Sequence, residues 1–145
     1  MTLEPRHARA VILSLALGTF GIGVIEFASM GLLPYYAADF GITEARAGHA
    51  ISAYALGVVI GAPLLAVIGA KIPRKQFLIG LMGFYAVANL LAGFAPNMDS
   101  FMAARFASGL PHGAYFGIAM LFAADLMPVG KRAQGIAMVI TGLTI

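Results

Sequence analysis

The sequence predicts an all-α membrane protein: an antiparallel transmembrane helix bundle with four helices plus the start of a fifth. Three observations predict it. Apolar residues make up 61% of the 145-residue chain, and 18 glycines come on top of that, where a soluble domain reaches about 45–50% with glycine already counted. Charged residues make up only 10%, against about 25% in a typical soluble chain. The apolar residues also gather into runs long enough to cross a bilayer, which takes about 20 residues. A mean hydropathy of +0.92 agrees. Too little polar surface remains to cover a water-soluble globule of this size. The composition therefore argues against a soluble enzyme, a disordered tail or a nucleic-acid binder, and makes the lipid bilayer the first expected partner. No Cys is present, so there is no disulfide framework and no Cys-based metal site.

The first run covers 10–36. Arg6, His7 and Arg9 precede it, as in a signal peptide, but a signal h-region spans about 7–15 residues. This run is far longer and reads as a retained spanning helix. The second covers 45–70, after the turn Gly41-Ile42-Thr43-Glu44, with Thr43 as N-cap. The third covers 77–94, separated by Ile72-Pro73-Arg74-Lys75, where proline ends the preceding helix. The fourth covers 100–126, after the loop 95–100, with Ser100 as cap. The fifth begins at 133 and is still apolar at Ile145. Strict alternation, the mark of β-barrel spans, does not occur. The short loops imply that consecutive helices are antiparallel neighbours.

The basic residues sort by side. Arg6 and Arg9, then Lys71, Arg74 and Lys75, then Lys131 and Arg132 fall on one face of the membrane if the helices alternate. The opposite face holds Arg46 beside Asp39, Glu44 and Asp99. The positive-inside rule puts the N-terminus in the cytoplasm.

Two ionisable residues sit inside spans: Glu26 in the first and Arg105 in the fourth. Insertion scales charge about 2.5–3.5 kcal/mol for Arg or Asp at a helix centre, and such residues usually face a bundle interior or a wet cavity. A proton or substrate site is the functional reading of both. The competing reading makes Arg105 a structural counter-ion, or lets it snorkel to the nearby interface. Glu26 is deeper and shorter, so snorkelling helps it less. An isolated buried carboxyl stays neutral, and one beside a guanidinium ionises; a carboxyl that switches between the two states can carry protons. The expectation is that Glu26 and Arg105 share a hydrated crevice. His112, behind the helix-kinking Pro111, is a third candidate that titrates near neutrality, against a packed, hydrogen-bonded histidine. Asn89 reads as glue between helices. Small residues at spacing four, Gly57-x-x-x-Gly61 and Gly109-x-x-x-Gly113-x-x-x-Gly117, mark close helix packing. Nothing matches a phosphate loop, a catalytic triad or a zinc motif, so no catalytic residue, metal or cofactor is expected.

The chain resembles the N-terminal part of a major facilitator superfamily transporter, in particular the bacterial arabinose-efflux-like and drug:proton antiporter permeases. Four stretches carry the resemblance: Gly21–Phe27 with Met30–Pro34; Ile51–Gly57 running into Gly61–Leu64; Lys71 with Arg74-Lys75; and Arg105–Gly109 with Pro111–Gly117. The superfamily loop signature G-x-x-x-D-R-x-G-R-K meets Ala66, Ala70, Lys71, Pro73, Arg74 and Lys75 here. Only the basic residues match, which leaves an acid-mediated lock at Ala70 in doubt. The resemblance implies that Lys71, Arg74 and Lys75 form a cytoplasmic gating loop, and that Arg105 is the membrane-embedded arginine of proton coupling. It implies a fold of two six-helix halves, each of two inverted three-helix repeats around a central cavity, of which this chain would hold part of the N-terminal half. On that reading it is a fragment or truncated product, its partners being protons, a small-molecule substrate and the missing C-terminal helices.

Two functions from different classes follow. One is proton-coupled export of sugars or drug-like molecules across the bacterial inner membrane. The other is a small membrane scaffold or assembly partner using its glycine faces, with no transport of its own.

Overall fold

A computed structural model describes residues 5–145. Among them the fold is all-α, with no strand. The helices are α1 (Pro5–Gly31), α2 (Leu33–Asp39), α3 (Glu44–Ala47), α4 (His49–Gly69), α5 (Arg74–Gly93), α6 (Met98–Leu126) and α7 (Arg132–Thr144), with a 3-10 turn at Val129–Lys131 before α7.

The run 10–36 is therefore two helices. Pro34 sits in the first turn of α2, where its missing N–H costs nothing. Extending α1 through it would set its ring against the carbonyl of Met30. Gly41, at φ +63°, takes the left-handed conformation that lets the chain reverse after α2. Thr43 caps α3 as expected, its hydroxyl accepting from the Arg46 N–H at 3.3 Å. The cap of α6 differs from expectation. Asn97, not Ser100, occupies that place: the Ser100 N–H donates to Asn97 Oδ1 at 2.9 Å, and the Asn97 N–H donates back to Ser100 Oγ at 3.4 Å. Such a reciprocal pair satisfies two otherwise orphaned donors. Pro63 and Pro111 lie inside α4 and α6, which remain helical through them.

Among the described residues, three stretches are long and apolar enough to cross a membrane: Arg6–Gly31, Glu44–Gly69 and Arg74–Gly93. Helix α6 has the length, at 29 residues, but Arg105, Pro111 and His112 interrupt its apolar run. On α5 the buried residues Leu78, Leu81, Tyr85, Ala88 and Ala92 recur at steps of three and four, one helix face. Its other face exposes Ile79, Phe84, Val87, Leu90 and Leu91. Apolar exposure on that scale suits acyl chains and would be an aggregation liability in water.

The chain divides into two compact units. One holds α1 as far as Glu26 together with Phe116–Ile145; the other holds Phe27–Tyr115. In the first unit, α7 lies against α1 through Gly142, where a Cβ would collide with the Ala16 carbonyl and Thr19 Oγ1. A Cβ on Gly23 would stand 2.7 Å from the Leu143 carbonyl oxygen. The Thr19 hydroxyl, fully buried, donates to the Val139 carbonyl at 2.6 Å.

Candidate functional site

In the second unit, four glycines bring α4 and α6 into backbone contact. A Cβ on Gly57 would run into the Phe106 carbonyl, one on Gly61 into the Leu110 carbonyl, and one on Gly109 into the Tyr54 carbonyl. A Cβ on Gly113 would meet that of Ala62 at 2.7 Å. Residue numbers rise together along both helices, so α4 and α6 run parallel, as the two chain reversals between them require. Gly117 departs from the expected pattern: a Cβ there would meet nothing within 4 Å. Each step of four residues drifts about 40° around a helix of 3.6 residues per turn. Two such steps carry Gly117 about 80° around α6 from Gly109.

The same seam positions the ionisable side chains. Tyr54, Gly57 and Gly61 share one face of α4, and Arg105, Gly109 and His112 share one face of α6, by their spacing of three, four and seven. Arg105 is only 3% exposed. Its guanidinium carbon stands 4.4 Å from the centroid of the Tyr54 ring, a cation–π arrangement. Its NH1 donates to Asn89 Oδ1 at 3.3 Å, and Asn89 Nδ2 donates to the Tyr85 carbonyl at 2.8 Å. The Asn89 amide is thereby oriented with its oxygen toward the cation. The Tyr54 hydroxyl lies 2.6 Å from His112 Nδ1, and the two rings sit 5.7 Å apart. Tyr54 is also 3% exposed, whereas His112 is half-buried.

Of the three expected site residues, then, Arg105 and His112 meet through Tyr54. Glu26 is half-buried in α1 and belongs to the other unit. Snorkelling is not what Arg105 does, because its side chain is buried and held by Asn89 and Tyr54. Asn89 acts as glue to the cation itself. In the expected gating loop, Lys71 lies in the turn after α4, while Arg74 and Lys75 open α5; all three are exposed. Tyr54 was missed as a site residue, although its spacing from Gly57 and Gly61 put it on the packed face. A separate cleft of about 340 Å³ lies at the opposite chain reversals, lined by Asp39, Arg46 and Asp99 among others. Among the described residues no group of three His, Cys, Asp or Glu side chains is placed to hold a metal.

The family model described as Major Facilitator Superfamily matches residues 15–145. The chain belongs to the Major Facilitator Superfamily. It is 41% identical to the inner membrane transport protein YdhP of Escherichia coli over 134 residues, 92% of this chain and 34% of that protein. It is 39% identical to the putative transporter AraJ of the same organism over 137 residues, 94% of this chain and 35% of the relative. A chloramphenicol resistance protein of Streptomyces lividans is 31% identical over 131 residues, 90% of this chain and 33% of its own length. The chain thus spans about a third of these relatives.

Proposed function

We propose that the chain serves a secondary transporter that exports small molecules, drug-like compounds or sugars, in exchange for protons by alternating access. The observation that carries this reading is the guanidinium of Arg105, buried within a helix of a membrane family and held by Asn89 and Tyr54. An intramembrane charge of this kind is costly, and in this setting it marks a substrate or ion path. Membership of the superfamily and the names of the relatives support transport, and the chloramphenicol resistance protein supports the outward direction. The arrangement of Lys and Arg supports a cytoplasmic N-terminus in a bacterial inner membrane.

Each residue takes a role on this reading. Arg105 is the fixed positive charge of the transport path. Glu26 is the carboxyl that takes up and releases the proton. His112, half-buried beside Tyr54, offers a polar edge to the substrate. Lys71, Arg74 and Lys75 belong to the cytoplasmic reversal that changes contacts as the transporter rocks. The other helices that such a cavity needs come from the remainder of a superfamily fold.

The test uses the full gene product in proteoliposomes under an imposed pH gradient, with labelled chloramphenicol and labelled arabinose as probes of the two substrate classes. The gradient drives at least one probe in the wild-type protein. Glu26→Gln abolishes that flux and leaves membrane insertion unchanged. No gradient-driven flux of either probe, or full flux in Glu26→Gln, contradicts the proposal.

A further inference from the structure

We propose that Tyr54 is a positioning residue: its hydroxyl donates to His112 Nδ1 and holds the imidazole in the tautomer that carries its proton on Nε2. Three distances define the arrangement. The hydroxyl stands 2.6 Å from Nδ1, the guanidinium carbon of Arg105 stands 4.4 Å from the centroid of the same phenol ring, and Arg105 is tied to Asn89 at 3.3 Å. A short hydrogen bond has two possible directions here, because a phenol both donates and accepts and a neutral imidazole nitrogen does one or the other.

The cation decides the direction. A guanidinium over the ring face draws electron density from the π-system, which makes the O–H a stronger donor and the oxygen a poorer acceptor. In a low-dielectric seam that polarisation is strengthened and passes along the bonded chain. Each link is oriented in turn. The Tyr85 carbonyl accepts from Asn89 Nδ2, and Asn89 Oδ1 accepts from Arg105. Arg105 polarises the phenol, and the phenol donates to Nδ1. His112 then turns Nε2–H away from Tyr54 and is a donor at that edge. On this tautomer the Nε2 edge can give a hydrogen bond and cannot accept one, so any substrate group that pairs with it is an acceptor, such as a carbonyl, ether or hydroxyl oxygen. That substrate role rests on the transporter reading above, whereas the tautomer does not.

The experiment separates the two. The full gene product is labelled with ¹⁵N-histidine and placed in nanodiscs, and the ring nitrogens are read by NMR. This chain contributes three histidines, His7, His49 and His112, and the pattern lost in His112→Ala is that of His112. The wild-type pattern of His112 shows Nδ1 unprotonated and Nε2 protonated, with widely separated resonances. Tyr54→Phe keeps the ring beneath Arg105 and removes the hydroxyl, so the two resonances converge as the tautomers mix. A wild-type His112 protonated on Nδ1, or a pattern unchanged in Tyr54→Phe, overturns the proposal. Should Tyr54→Phe fail to fold, fluorotyrosine labelling, which makes the phenol a stronger donor, moves the His112 Nδ1 resonance, and no movement overturns the proposal. None of these readouts needs transport, so a protein without flux still confirms or refutes the tautomer. Where flux is present, Tyr54→Phe raises the KM for the transported probe more than it lowers the maximal rate.

Discussion

The chain closes two seams with the same device and furnishes them differently. Between α4 and α6, Gly57, Gly61, Gly109 and Gly113 bring backbones together, and the closeness lines up Tyr54, Arg105 and His112. Between α1 and α7, Gly23 and Gly142 do the same, and the Thr19 hydroxyl there donates to the Val139 carbonyl. Close approach lets van der Waals packing act where lipid offers no hydrophobic gain from helix association. The α1–α7 seam uses it for cohesion. The α4–α6 seam also uses it to hold a cation that insertion energetics disfavour, by placing an aromatic face and an amide oxygen against it. Small-residue packing is therefore no signal of function by itself; the polar side chains it brings together are.

This contrast can be broken in four ways, from the largest effect down. Gly61→Ala drives a methyl into the Leu110 backbone and should cost about 3 kcal/mol, the upper end of overpacking. Since it pushes α4 off α6, it should also shift the His112 resonances, read together with unfolding of the purified gene product in detergent. Gly142→Ala meets the Ala16 carbonyl and Thr19 and should cost about 2 kcal/mol by the same mechanism. In that variant the His112 signal stays as in wild type, which separates cohesion from positioning. Thr19→Val keeps the shape and removes one interhelical hydrogen bond, a loss of about 0.6 kcal/mol in membrane proteins, measured by the same unfolding series. Gly117→Ala enters open space and should change stability by no more than about 0.5 kcal/mol. A large loss there would show that the glycine row continues to a partner.

Much of this contrast could be read in the sequence, because the lipid solvent writes itself into composition and spacing. Long apolar runs broken by proline and glycine gave the helices, and the intramembrane Arg105 stood out against them. His112 lies seven residues on, on the same helix face. Other features were hidden for physical reasons. Tyr54 in an apolar span looks like packing until a cation is found beneath its ring, and that depends on α4 and α6 meeting across about fifty residues of chain. Thr19 and Val139 are separated by 120 residues, and Gly142 has Met138, not a glycine, four residues before it. Gly117 continues the spacing but not the close contact, because a fixed spacing of four ignores helical drift. Run length alone does not show the break at Pro34, because a new helix accommodates the proline in its first turn.

The most direct test of the central claim, that Arg105 in the α4–α6 seam belongs to the transport path, is pH-gradient-driven probe flux in Arg105→Lys. Lysine keeps the charge but loses the planar fork that stacks on Tyr54 and reaches Asn89. The account predicts that the variant inserts in the membrane and loses gradient-driven flux in proteoliposomes. Flux equal to wild type would contradict it, and would leave the buried arginine a structural cation.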